Sequence, residues 1–357
     1  MHRILLLTIT LLAFLAMPVS GLAPSAEAAT GKANASNSAG IKKKVRAKNR
    51  HKIKASTKKR LSAAKKKRGY MAARKAAMQR QNQSVLNAED YKASADLNLR
   101  SASALVLDQY TGESIYSKNV EVETPIASIT KLMTAIVTLD ANLALGEEIT
   151  VSDEDVDRIK GTRSRLRLGT TLSREDLMHL ALIASENRAA AALSRSYPGG
   201  REAFVEAMNR KARALSMQHT HFVDGTGLSS SNRSTAADLA KLVDAAYRYP
   251  LIRHISTTGS YELAVPGKRR MQQLVFNNTN PLTKWEKWDI GVSKTGYISE
   301  AGHCLVMQAK IAERKVIIVL LDSWGKYSRI GDANRIRKWM EYNASDRVAR
   351  KAGREDV

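Results

Sequence analysis

The sequence predicts an α/β fold in which helices pack on an antiparallel sheet whose strands come from both ends of the folded region. Three observations point there. A strand–turn–strand pattern, "SALVLDQYTGESIYSKN", opens the region, helical apolar periodicity dominates its middle, and three strand-like runs joined by short turns close it. Consecutive strands joined so tightly pair antiparallel. The chain has 357 residues and 43% hydrophobic content, enough to bury a substantial core.

Ahead of the folded region lie two segments of different character. Residues 1–29 read as an export signal: Arg3, an apolar run over 4–17, then small residues ending "AEA" at 26–28. The run is shorter than the roughly 20 residues that span a bilayer, so it predicts export rather than anchoring. Residues 30–99 follow as a basic arm. Of the formal net charge of +24, 19 positive charges lie within 30–88, where there is no Asp or Glu, so 89–357 carries only +5. With almost no large apolar residues the arm has little to bury, and it is expected to be disordered and to hold the protein near polyanions, with anionic envelope polymers favoured over lipid head groups; the plainer reading is a solvated linker whose charge aids solubility. The export signal ahead of it argues against nucleic acid as its partner.

The folded domain is expected over 100–343. After the opening hairpin comes a helix at roughly 126–140. Ser173, followed by Glu175 and Asp176, starts another that runs through "LMHLALIA". Helices follow at 188–196, stopped by Pro198-Gly199-Gly200, at 201–216, and at 235–248, where Thr235 and Asp238 form a capping pattern. Then come the strands "VSKTGYI", "HCLVMQAKI" and "KVIIVLLD", a helix at about 329–342, and a polar tail over 344–357. Cys304 is the only cysteine, so an intramolecular disulfide is excluded, and its setting reads as a buried strand thiol.

The chemistry gathers in three short motifs. In "IASITKLMTAIV" Ser128 and Lys131 lie one turn apart at the front of an apolar helix. Residues three apart share a helix face, so the amine reaches the hydroxyl. A serine becomes a useful nucleophile when a neighbouring base takes its proton, and a lysine serves if burial or nearby positive charge keeps it neutral. Serine and lysine also stand three apart at Ser56/Lys59, Ser62/Lys65 and Ser323/Lys326, but only Ser128 opens an apolar helix inside the domain. Ser185-Glu186-Asn187 follows a buried helix and can aim a hydroxyl and an amide into a cleft. Ser230/Asn232 has the same spacing in a polar loop and reads as turn chemistry. Lys294-Thr295-Gly296 lies within a strand, where the lysine and threonine can bind a carboxylate and the glycine lets substrate backbone approach.

The order Ser-x-x-Lys, Ser-x-Asn, Lys-Thr-Gly, after a hairpin and before two strands and a helix, resembles the penicillin-binding protein and serine β-lactamase superfamily. "PIASITKLMTAIV", "ASENRAAAAL", "FVDGTGLS", "FNNTNPL" and "SKTGYISEAGHCLVM" further resemble the low-molecular-mass D-alanyl-D-alanine endopeptidases of the penicillin-binding-protein-7 type, serine peptidase family S11, over about 100–342. The resemblance implies an α/β sandwich with an all-helical subdomain. It implies Ser128 as acylated nucleophile, Lys131 as general base and Ser185 as proton shuttle to the leaving amine. Asn187 would hold the substrate amide, Lys294 and Thr295 a carboxylate, and the backbone N–H groups of Ser128 and Tyr297 the oxyanion, with Gly296 between them. The implied substrate is the D,D-crosslink between peptidoglycan peptide stems, with β-lactams as inhibitors and no metal or cofactor.

Other readings stay open at this stage. A β-lactamase shares the three motifs, but the Glu-x-x-Leu-Asn element expected after the second is missing, which implies slow deacylation and inhibition by penicillin. A D,D-carboxypeptidase is the nearer rival. Many of those carry an extra β-rich domain and an amphipathic C-terminal anchor, whereas this sequence stops at "VARKAGREDV" soon after its last expected helix, which favours the endopeptidase. A non-catalytic wall- or polyanion-binding protein would use the arm alone, and the intact motifs argue against it. A Ser-His-Asp hydrolase lacks its Gly-x-Ser-x-Gly elbow, and His219 and His221 read as loop histidines.

Overall fold

The computed structural model describes residues 97–355 apart from 267–269. The expected export signal and residues 30–96 of the expected arm lie outside them. The fold begins slightly earlier than expected: Leu97 and Leu99, assigned to the arm, are buried in the core.

Five strands form the main sheet in the order β2–β1–β11–β10–β9, with every pair antiparallel: β1 (Ser101–Asp108), β2 (Ser114–Lys118), β9 (Asp289–Ile298), β10 (Gly302–Ile311) and β11 (Arg314–Ser323). The sheet therefore joins the two ends of the domain, as the sequence predicts. Both of its faces are covered, so its inner strands are apolar on both sides. Val306, Ile317, Val319 and Leu321 belong to one core, and Leu305, Met307, Ile318 and Leu320 to the other. This alternation is the two-residue period of a strand.

Helix α7 (Ser328–Glu355) packs on the second face through Ile330, Ala333, Ile336 and Met340. Burying each of the larger three contributes about 1.5–3 kcal/mol. Asp332, on the same helix, is fully buried and accepts hydrogen bonds from the Ser101 backbone N–H (2.7 Å) and hydroxyl (2.5 Å). The segment expected as a separate tail, 344–357, continues this helix to Glu355. Its Ala, Arg, Lys and Glu content favours helix, and it holds no proline.

The opposite face carries the rest of the domain. Helix α1 (Thr130–Asp140) runs through its centre, and every residue from Thr130 to Thr138 is buried. Around it lie α2 (Arg174–Ile183), α3 (Asn187–Arg195), α4 (Gly200–Ala214), α5 (Ala236–Tyr247) and α6 (Pro250–Thr257). The capping signals act as read: the Ser173 hydroxyl accepts from the Asp176 N–H, and the Thr235 hydroxyl from the Asp238 N–H. Short pairs β3 (Thr124–Pro125)/β6 (Arg233–Ser234) and β4 (Glu148–Thr150)/β5 (Thr171–Ser173) tie the loops together. A hairpin of β7 (Ser260–Pro266) and β8 (Met271–Asn277) was not anticipated. Its second strand is mostly exposed and carries two adjacent glutamines, so it lacks a clear apolar alternation.

Candidate active site

Ser128 lies in a short 3-10 turn, Ala127–Ile129, that leads into α1, so the expected helix divides just behind it. The residue before it, Ala127, has φ +49°, a left-handed conformation that costs a non-glycine residue energy and that the surrounding packing imposes. Two glycines supply the space. A Cβ on Gly227, whose φ is +79°, would lie 2.0 Å from the Ala127 carbonyl oxygen. A Cβ on Gly296 would lie 2.9 Å from the Ile126 carbonyl oxygen and 3.2 Å from the Ser128 nitrogen. Gly296 thus lets β9 close against the serine turn, a nearer reason for glycine there than the approach of substrate backbone.

Lys131 is fully buried. Its Nζ makes three hydrogen bonds: 2.9 Å to Ser128 Oγ, 2.8 Å to Asn187 Oδ1 and 2.6 Å to the Thr226 carbonyl. Burial lowers its pKa to about 7, while the carboxylates of Asp224, Glu186 and Asp157 oppose that shift. The amine is therefore available in its neutral form near neutrality, when it can accept the Ser128 proton.

Ser185 occupies the break between α2 and α3 with φ +59°, a second strained non-glycine residue in the cleft. Its hydroxyl accepts from Lys294 Nζ at 3.0 Å, and the same amine donates to the Thr295 carbonyl at 2.9 Å. Lys294 is buried and held well below the usual lysine range, first by burial and then by the positive charges of Lys131 and Arg329. Thr295 Oγ1 is bonded to Thr279 Oγ1 at 2.7 Å, and the Thr279 N–H is anchored on the Ile183 carbonyl. Tyr297, just beyond the glycine, is 58% exposed and its ring stacks on His303.

All three motifs therefore meet: Ser128 and Lys131 from the start of α1, Ser185 and Asn187 from the α2–α3 junction, and Lys294 to Tyr297 from edge strand β9. Several contributors escaped the sequence reading. The loop 222–232 delivers the Thr226 carbonyl to Lys131, and Asp224 shapes it by accepting from the backbone N–H groups of Thr226, Gly227 and Ser229. Asn232, read as turn chemistry, is fully buried and bonds Val223 and Asp224 backbone groups and Thr130 Oγ1, which fastens the loop to α1. Asp157 folds the loop 157–162 on itself, and Thr162 from that loop accepts from Asn187 Nδ2 at 3.0 Å. The Asn187 amide is thereby fixed at both ends. A Lys160–Glu300 ion pair of 2.7 Å joins the same loop to the β9–β10 turn. The motif "FVDGTGLS" was the only signal for the Thr226 loop, because a backbone carbonyl leaves no residue type to recognise. Cys304 is buried, as read, and makes a contact with the Ala301 carbonyl.

A family model for peptidase S11, described as D-alanyl-D-alanine carboxypeptidase, matches residues 87–325. The chain belongs to this family. Among its relatives, the D-alanyl-D-alanine endopeptidase of Pseudomonas aeruginosa is 49% identical over 243 residues, covering 68% of this chain and 78% of that protein. The D-alanyl-D-alanine endopeptidase of Escherichia coli is 47% identical over the same length and coverage. The crystal structure of the Streptomyces K15 DD-transpeptidase superposes with a TM-score of 0.63 at 26% identity, covering 68% of this chain and 97% of that one. The S11 family and its penicillin-binding fold agree with the α/β sandwich and the serine D,D-peptidase class expected from the motifs.

Proposed function

We propose that this S11 peptidase is a D-alanyl-D-alanine endopeptidase that opens D,D-crosslinks between peptidoglycan stems through an acyl-enzyme on Ser128. The observation that carries the mechanism is the 2.9 Å contact between Ser128 Oγ and a fully buried Lys131 amine whose pKa is about 7. Neutral Lys131 takes the Ser128 proton as Oγ attacks the D-alanyl carbonyl. The backbone N–H groups of Ser128 and Tyr297 stabilise the oxyanion. The proton that Lys131 took passes by way of Ser185, which is bonded to Lys294, to the leaving amine as the peptide C–N bond breaks, and Lys131 is neutral again for deacylation. Asn187 holds the donor amide, while Lys294 and Thr295 hold the carboxylate beside the leaving nitrogen. Water then repeats the attack on the ester, releases the donor and restores Ser128. No metal or cofactor enters these steps.

A β-lactam acylates Ser128 by the same route, with its ring nitrogen as the tethered leaving group. The two relatives at 47–49% identity, both named endopeptidases, favour crosslinks as the substrate, whereas the family description favours removal of a terminal D-alanine. We further infer that residues 1–29 direct export to the periplasm, and that the basic segment, with 19 positive charges over 30–88, holds the enzyme near anionic envelope polymers. Labelling with a fluorescent penicillin on a denaturing gel tests the core of the reading: a covalent band is expected from the wild type and none from Ser128→Ala. An unlabelled, folded wild type would remove the acyl-enzyme. Incubation with crosslinked and pentapeptide muropeptides then separates the two peptidase activities.

A further inference from the structure

An exposed aromatic ledge leads away from the carboxylate end of the cleft. Thr295 and Tyr297 stand two residues apart on β9 and so share one side of the strand, about 7 Å apart. On that side the Tyr297 ring lies against His303 of β10, with ring centroids 4.3 Å apart and an interplanar angle of 23°. His303 pairs in register with both Tyr297 and Ser323, so the row continues across the sheet to the end of β11. Immediately beyond Ser323 are Trp324, 77% exposed, and Tyr327, 66% exposed. Lys326 Nζ sits 5.3 Å from the centre of the Tyr327 ring. Trp324 and Tyr327 serve neither the core nor the proposed chemistry, and large exposed aromatics that follow directly on the strand end paired with His303 are the usual makings of a contact surface.

Resting on the peptidase reading above, the geometry points to this ledge as the binding surface for the acceptor strand of a crosslink, the stem peptide that carries the leaving amine. The substrate divides at the scissile bond. The donor stays tied to Ser128, which lies against Gly296, and the departing residue keeps its carboxylate at Lys294 and Thr295. What continues from that residue is assigned to the Thr295 side of β9, over the Tyr297–His303 pair and on to the segment that follows Ser323. A terminal D-alanine has nothing beyond its carboxylate to touch the ledge, whereas a crosslink has a whole stem. Aromatic faces suit the aliphatic parts of such a stem. Lys326 suits its free carboxylates.

The test compares wild type with a Trp324→Ala/Tyr327→Ala double variant on two synthetic substrates, a crosslinked stem-peptide dimer and a monomeric pentapeptide ending in D-alanyl-D-alanine. The expected result is a kcat/KM lower by about tenfold on the dimer, the scale of losing a two-aromatic contact. Pentapeptide hydrolysis and penicillin labelling should stay unchanged. A Trp324→Phe/Tyr327→Phe variant should recover most of the dimer activity. Equal losses on both substrates, or none on either, would overturn the assignment. So would loss of binding to anionic lipid vesicles with dimer hydrolysis intact, which would make the ledge a membrane contact. Failure of the peptidase reading looks different: a wild type that takes no penicillin label and cleaves neither substrate.

Discussion

Lys131 and Lys294 are both sunk in the protein and both bonded to a serine hydroxyl, yet their surroundings differ in sign. Burial is the main cause of the lowered pKa in each case. Around Lys131 the charges that matter are carboxylates, Asp224, Glu186 and Asp157, which pull the amine back up to about 7. Around Lys294 they are cations, Lys131 and Arg329, which push the same way as burial. The first environment suits a base that cycles its proton near neutrality. The second leaves the Lys294 proton weakly held until an anion arrives to balance it, which suits a site that binds a carboxylate.

Removing the proposed base should have the larger effect. Lys131→Ala is expected to slow penicillin acylation by about 10² to 10⁴, the usual contribution of a positioned general base, while circular dichroism shows a folded chain. Lys131→Arg should not rescue it, because a guanidinium keeps its proton. Recovery of labelling in that variant would mean that Lys131 supplies charge rather than a base.

Lys294→Ala should cost about 10- to 100-fold in kcat/KM, the scale of one charged hydrogen bond, and most of it in KM. The loss should shrink on a substrate analogue whose carboxylate is replaced by an amide. An equal loss on both analogues would show that Lys294 acts through Ser185 alone.

The pH profile sharpens the contrast. The acylation step needs Lys131 unprotonated, so its rate should rise with pH, about tenfold per unit below a midpoint of about 7, and level off above it. Carboxylate binding at Lys294 runs the other way. An amine held below its usual range takes up a proton when an anion binds, so KM should rise as pH increases. Stopped-flow acylation and steady-state KM over the same pH series check both slopes.

The smallest expected change comes from Glu186→Gln. It removes one of the carboxylates that raise the Lys131 pKa, and the midpoint of the acylation profile should move to lower pH with little change in the plateau. A shift to higher pH would show that the hydrogen bonds of Glu186 to Ser164 and Arg165 matter more than its charge.

The motifs were legible because their chemistry depends on residue type at short spacing. Ser128 and Lys131 meet by the three-residue period of a helical turn, and the capping signals at Ser173 and Thr235 act on the backbone three residues on. The parts that were missed act at long range or through the backbone. The Thr226 carbonyl reaches Lys131 across 95 positions. Thr279 backs Thr295 from within "FNNTNPL", a motif quoted for the resemblance but given no role, and Asn232 looked like an ordinary turn residue until burial gave its side chain four hydrogen bonds. The β7–β8 hairpin lacked a periodic signal because most of its second strand faces outward.

By itself the sequence determined the five strands of the main sheet, their pairing from both ends of the domain, most of the longer helices, and the candidates for the reactive groups. Tertiary structure decided the state of those groups. A lysine three residues from a serine is an ordinary solvated cation until it is enclosed. Only packing of α1 against α3 and the 222–232 loop removes its water, brings the carboxylates of Asp224, Glu186 and Asp157 into range, and sets its pKa near 7. The strained conformations of Ala127 and Ser185 likewise have no local cause, since each is held by contacts with segments distant in sequence.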